Sequence, residues 1–172
     1  SHEDIVHILK QADKHQISVI TFSGGSNVTG AVDVEAPPQR GDGRGAGLTC
    51  SLNMQRMNRL VDIDTNSFTA TFEAGIFGPQ LEKILNEQGF TLGHFPQSFE
   101  FSTLGGWLAT RSAGQESGLY GKIEDMVLGI TVVTPRGTFE HADYPKHASG
   151  IDLYPLFIGS EGTLGVIVQA KV

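Results

Sequence analysis

Apolar positions along the chain fall first into a helical rhythm. Ile5, Ile8, Leu9 and Ala12 share one face, and Ser1 followed by Asp4 has the spacing of a helix N-terminus, so a helix is predicted over about residues 3–15. The rhythm then changes. Ile17 to Phe22 reads as a short strand, as do Leu48 to Leu52, Leu60 to Ile63 and Thr69 to Glu73, the last with Phe68, Ala70 and Phe72 on one face. Pro79 opens a second helix with the stripe Leu81, Ile84, Leu85, and Gly89 closes it. Leu104 to Thr110 reads as a short buried helix. Met126 to Thr134 is a strongly apolar strand that Pro135-Arg136-Gly137 turns into a hairpin with Thr138 to His141. Asp152 to Ile158 is predicted helical, and Gly165 to Val172 is the last strand. Helices and strands mix without strict alternation, which predicts an α+β fold rather than a doubly wound one.

Composition sharpens this picture in one respect. Glycine contributes 22 of 172 residues, well above the usual share of about 7%. The glycines are clustered rather than periodic, so they mark tight turns or backbone lying against something. A formal charge of −7 excludes a nucleic-acid surface, yet leaves room for a phosphorylated ligand held by backbone N–H groups. The single Cys50 permits no internal disulfide and no Cys-based metal site. No apolar run reaches the roughly 18 residues of a membrane span, and Ser1-His2-Glu3-Asp4 does not resemble a secretory signal. A cytoplasmic protein is the expectation, and membrane association is not evident.

Several motif matches fail on context. Gly41 to Ala46 satisfies G-x-G-x-x-[GA], but it follows Pro37-Pro38 instead of a buried strand and sits in a glycine-rich stretch, 35–47, that reads as an exposed loop. His2-Glu3 and His7 miss the zincin spacing by one residue, so the two imidazoles diverge on a helix. Gly25 to Gly30 has Walker-like spacing, with Ala31 and Val32 where Lys and Ser/Thr belong. Neither NAD nor a metal is expected.

Three glycine-rich stretches survive. Phe22-Ser23-Gly24-Gly25-Ser26-Asn27-Val28 ends a strand, and there a nest of N–H groups for an anion and a plain turn compete evenly. The stretch Gln97 to Trp107 places Ser102 and Thr103 at a helix start, where their hydroxyls either cap the helix or bind a phosphate; Gly105 and Gly106 allow a backbone or ring to come close. Gly159-Ser160-Glu161-Gly162-Thr163-Leu164-Gly165 leads into the last strand, either as a turn or as a ligand loop.

In this order and spacing the three stretches resemble the FAD-binding (PCMH-type) domain of the vanillyl-alcohol oxidase and p-cresol methylhydroxylase superfamily. The likeness spans nearly the whole chain. Gly93-His94-Phe95-Pro96-Gln97-Ser98 running into Phe99 to Trp107, with Gly121-Lys122-Ile123-Glu124-Asp125 and Val133 to Gly137, is similar to alkyldihydroxyacetonephosphate synthases and bacterial FAD-linked oxidases. The resemblance implies two lobes, residues 1–63 and 64–172, with FAD between them. Phe22, Ser23, Gly24, Gly25, Ser26, Asn27 and Val28 would wrap the diphosphate. Gln97, Ser98, Ser102, Thr103 and Gly105, then Thr110, Arg111, Ser112 and Ala113, then Glu161, Gly162, Thr163, Gly165, Val166 and Ile167 would line the rest of the cofactor.

Some members attach their flavin to a His that is Ser26 here, so noncovalent FAD is implied. The likeness also implies a substrate or cap domain, and a first strand ahead of the first helix, outside these residues. An unpaired sheet edge and a tendency to self-associate would follow. The parent enzyme would make ether lipids from a lipid precursor (peroxisomal in a eukaryote) or oxidise a small molecule such as a 2-hydroxy acid. The alternative is a flavin-binding fragment without chemistry, and these residues alone are expected to be inactive. No catalytic residue is assigned; packing or solvent exposure is the expectation for both His94 and Arg111.

Overall fold

The computed structural model describes residues 1–33, 47–140 and 150–172. The first helix, α1 (His2–His15), begins with a reciprocal cap: the Asp4 N–H donates to Ser1 Oγ, and the N-terminal amine donates to Asp4 Oδ2 at 2.8 Å. Gln16 ends it in the left-handed region, at φ 55°. Strand β1 (Ser18–Phe22) follows and pairs in parallel with β2 (Thr49–Asn53).

The second sheet has five strands, β3 (Leu60–Asp64), β4 (Thr69–Glu73), β5 (Gly129–Thr134), β6 (Gly137–Glu140) and β7 (Val166–Lys171), in the order β3-β4-β7-β5-β6. All its pairings are antiparallel. The last strand therefore lies in the middle. Its apolar composition suits that place, because both faces of the sheet are covered. On one face Phe72, Ile130, Val132, Ile167 and Ala170 pack with Leu81 and Leu85 of α2 (Gly78–Asn86) and with Leu104, Trp107 and Leu108 of α3 (Leu104–Thr110). On the other face Val133, Val166 and Val168 meet Ile5 and Leu9 of α1, together with Met54 and Met57. This second cluster joins the small sheet to the large one.

A close backbone approach fixes the same junction. A Cβ on Gly75 would stand 1.9 Å from the Met54 carbonyl oxygen, so only glycine fits there. The Gly75 N–H donates to the Met57 carbonyl at 2.8 Å. Beside it Glu73, 3% exposed, accepts three hydrogen bonds from Arg59: the backbone N–H at 3.0 Å, Nε at 3.2 Å and Nη2 at 2.9 Å. Burial pushes this carboxyl up, but the Arg59 bonds and charge outweigh it and hold Glu73 below the usual carboxylate range.

Two sequence expectations need correction, and two further elements were not expected. Strand β5 starts at Gly129, not Met126, because Met126 closes a short helix, α5 (Ile123–Met126). The Lys122 N–H bonded to Asp125 Oδ2 at 2.9 Å starts that helix. Asp152 to Ile158 yields only a 3-10 turn, Tyr154–Leu156; Pro155 has no N–H to extend it, and Gly159 at φ 79° reverses the chain. A further short helix, α4 (Ser117–Tyr120), and a 3-10 turn at Phe99–Phe101 escaped the pattern, since glycine and polar residues hide so few apolar positions. The loop expected at 35–47, apart from Gly47, lies outside the described residues, as does His141 at the hairpin end.

Leu104 is fully buried between sheet and helix. Leu104→Ala should cost about 2–5 kcal/mol, read as a lowered urea midpoint with an unchanged slope.

Candidate functional site

A cleft of about 610 Å³ runs between the small sheet and α3, a size within the roughly 300–1,000 Å³ of small-molecule sites. One wall is β1 and the loop after it. The other is built from the start and end of α3 and from the loop entering β7. All three glycine-rich stretches meet here although they lie far apart in sequence.

The structure brings Phe22, Ser23, Gly24, Gly25, Ser26, Asn27 and Val28 to the cleft, with Ser98, Ser102, Thr103 and Gly105, then Thr110 and Ser112, then Glu161, Gly162, Thr163, Gly165, Val166 and Ile167. It does not bring three of the expected residues. Gln97 is exposed on the turn before the 3-10 segment, and Ala113 is exposed beyond the cleft wall. Arg111 ends α3 at φ 52° and turns its guanidinium outward, where Nη2 donates to the Pro155 carbonyl at 3.2 Å and Nη1 lies 3.7 Å from Glu124 Oε1. The decoy Gly41 to Ala46 lies outside the described residues.

Val19, Thr21, Met54 and Ala74 also line the cleft and were not foreseen, and Gly106 and Trp107, from the stretch where close approach was expected, line it as well. Of these, Val19 and Thr21 had a usable signal: they belong to the strand that delivers the glycine loop.

The glycine loop is docked by contact. A Cβ on Gly24 would stand 2.0 Å from the Phe101 carbonyl oxygen, and Gly25 sits at φ 66°. Next to them the Ser23 and Thr103 hydroxyls are 2.5 Å apart, one from each wall. The Gln55 amide donates to the Ser23 carbonyl at 2.8 Å and holds the loop from behind. Among the described residues, the backbone N–H groups of Gly24, Gly25, Ser26 and Asn27 have no acceptor. Four donors in succession along one wall are suited to an anion.

The two candidate hydroxyls at the start of α3 divide their roles. Ser102 is consumed internally: its Oγ donates to the Ser98 carbonyl at 2.8 Å and accepts from the Trp107 indole at 2.7 Å. Thr103 precedes the helix but makes no side-chain cap, and it meets Ser23 instead. Among the described residues the wall carries no Lys or Arg, and its one carboxylate is Glu161, held at φ 51°.

These features fit the two ends of FAD. A diphosphate needs several donors, which the glycine loop offers without cations. Ring systems need apolar surface, which Val19, Ile20, Met54, Ala74, Val166 and Ile167 provide. Gly162 leaves space on the cleft wall, since an added Cβ there would meet only Thr21 Oγ1, at 3.8 Å.

His94 lies behind the wall, 1% exposed, with its ring edge-on to Trp107 at a centroid distance of 4.9 Å. Its Nε2 is 3.2 Å from Ser112 Oγ. Burial lowers its pKa to about 4, so the ring is neutral near pH 7. Of the two expected placements, packing and solvent exposure, the structure shows burial.

The FAD binding domain family model matches residues 1–143. The chain is 44% identical over 170 residues to an alkyldihydroxyacetonephosphate synthase of Dictyostelium discoideum, covering 99% of this chain and 26% of that protein. It is 34% identical over 173 residues to the FAD-linked oxidoreductase YgcU of Escherichia coli strain K12, covering 100% of this chain and 34% of that one. A solved alkyldihydroxyacetonephosphate synthase structure superposes with a TM-score of 0.89 at 43% identity, over 99% of this chain and 29% of its own. The chain thus spans roughly a quarter to a third of the relatives it matches. Among the described residues, no helix is long and apolar enough to cross a membrane.

Because the His94 pKa is lower folded than unfolded, the unfolded chain binds more protons between about pH 6.5 and 4. Stability is therefore full above the unfolded value and falls as pH drops through that window, by up to roughly 3 kcal/mol. Thermal melts across pH should show this slope, and His94→Gln should flatten it.

Proposed function

Since the chain belongs to the FAD binding domain family, we propose that the cleft between its two lobes holds FAD noncovalently, as the cofactor cradle of a larger flavoenzyme. The observation that carries this reading is the run of N–H groups from Gly24 to Asn27, without an acceptor among the described residues, in a loop that lines the cleft and meets Thr103 through the Ser23 hydroxyl. In this arrangement the Gly24–Asn27 amides and the Ser23 and Thr103 hydroxyls bind the diphosphate. Thr110, Ser112 and Glu161 to Ile167 border the remaining length, and Val19, Met54 and Ala74 shed water from the rings.

The residues expected as the first lobe, 1–63, contribute α1 and the small sheet, and those of the second, 64–172, contribute α3 and β7. Strand β3, Leu60–Asp64, pairs with β4 in the larger sheet, which supports a boundary just before it rather than after it.

Bound FAD supplies a two-electron acceptor. The chain's own residues bind it, orient it and exclude water. Ser26 supports noncovalent attachment, because a hydroxyl there cannot form the histidyl link that some members of the resembled superfamily use. For the enzyme as a whole we favour alkyldihydroxyacetonephosphate synthase chemistry, exchange of an acyl group for an alkyl ether on a lipid precursor, over oxidation of a 2-hydroxy acid. Identities of 44% and 43% to two synthases against 34% to an FAD-linked oxidoreductase and 29% to a glycolate oxidase subunit support that order. These 172 residues alone are expected to bind FAD without turnover.

FAD titration followed by flavin fluorescence tests the cradle. The purified chain should bind FAD and release it on denaturation, and flavin that stays with the protein on a denaturing gel would refute noncovalent binding. Gly25→Val and Gly162→Val force a branched side chain into φ 66° and φ 79°, and each should weaken binding by about tenfold or more. Gly118→Ala, where an added Cβ meets nothing within 4 Å, should leave affinity unchanged. Equal losses at all three sites would place the cofactor elsewhere.

A further inference from the structure

The buried imidazole behind the cleft is a polar group for which neither the fold nor the cradle accounts. His94 is 1% exposed, and its Nδ1 has no hydrogen-bond partner. Its other nitrogen meets Ser112 Oγ at 3.2 Å, and Ser112 lines the cleft. Ser112 is itself pinned. Its N–H donates to the Trp107 carbonyl at 2.9 Å, and its carbonyl accepts from the Ile123 N–H at 3.3 Å. The left-handed Arg111 just before it sets the direction in which the chain leaves α3. Only the hydroxyl keeps a choice of orientation.

The orphaned Nδ1 decides that choice. A neutral imidazole carries one N–H and one lone pair. If the hydrogen were on Nδ1, a donor would be buried with no acceptor, an arrangement that folded proteins almost never keep; an unfilled lone pair is better tolerated. The hydrogen therefore belongs on Nε2, which donates to Ser112 Oγ. The serine oxygen then acts as acceptor, and its own hydrogen must go elsewhere. Among the described residues Ser112 Oγ has no partner besides His94, and the open side is the cleft.

Resting on the FAD reading above, we propose that His94 is a positioning residue whose Nε2–H turns the Ser112 hydroxyl hydrogen into the cleft, where it donates to an acceptor atom of the dinucleotide. The imidazole touches no ligand itself. Burial alone lowers its pKa, and no neighbouring charge contributes, so the ring stays neutral and keeps this polarity across the physiological range.

Two measurements test this. Long-range ¹⁵N–¹H correlation of the imidazole in the ligand-free chain should show a neutral ring protonated on Nε2; protonation on Nδ1 would overturn the proposal. In FAD titrations Ser112→Ala should weaken binding about threefold to tenfold, the range for one neutral hydrogen bond. His94→Phe should lose as much, and the double variant should lose no more than either single one. His94→Gln, whose amide N–H can stand where Nε2–H stood, should recover affinity to within about twofold. If His94→Phe does not fold, the glutamine variant, Ser112→Ala and the nitrogen spectrum still decide. Wild-type binding with Ser112→Ala unchanged sinks this inference alone. A wild-type chain that leaves FAD unbound sinks the cofactor reading and this inference with it.

Discussion

Two contacts between glycine and a carbonyl oxygen hold the small sheet against the large one. A Cβ at Gly75 would lie 1.9 Å from the Met54 carbonyl, and a Cβ at Gly24 would lie 2.0 Å from the Phe101 carbonyl. Neither distance leaves space for any other residue. The cleft lies in the gap beside these points of touch, so its width is set by backbone meeting backbone. The shared cluster of Ile5, Leu9, Met54, Val133, Val166 and Val168 then locks the arrangement from the far side. Apolar burial supplies the strength, and the glycines supply the spacing.

An acidic chain that is to hold a dianion, as proposed, faces an electrostatic problem, and this cleft offers dipoles to meet it. Among the described residues no Lys or Arg lines the cleft. Four amides without an acceptor among those residues and a pair of hydroxyls stand there instead. The cations serve structure elsewhere: Arg59 satisfies the buried Glu73 carboxylate, and Arg111 with Lys122 holds Glu124 near the end of α3. Amide dipoles are fixed by the fold, so they need little reordering when an anion arrives. The same logic extends to Ser112, whose hydroxyl has its direction set by a neutral ring behind the wall.

Much of this was legible in the chain. The amphipathic spacing of Ile5, Leu9 and Ala12 gave α1 its bounds nearly to the residue, and Thr69–Glu73 and Leu104–Thr110 match their expected ranges. Short helical elements escaped, because a stretch such as Ser117–Tyr120 has too few positions for a period to show. Asp152 to Ile158 failed for a local reason, Pro155, that outweighed its apolar content. Within the site, most of the glycine-rich residues named from resemblance line the cleft, while Arg111 does not. Its sequence neighbours Thr110 and Ser112 do, since a left-handed turn at Arg111 sends consecutive side chains in different directions.

The sequence by itself determined the local elements, the glycine loops and the family to which the chain belongs, since all of these depend on neighbours in the chain or on motifs read in order. The tertiary structure alone decided which hydroxyls are free. Ser102 and Ser112 look alike as serines beside α3, yet the Ser102 hydroxyl is taken by Trp107 and Ser98, while among the described residues the Ser112 hydroxyl has a single partner in His94. Hydrogen-bond partners are assigned by distances between residues remote in sequence, and no local pattern encodes them.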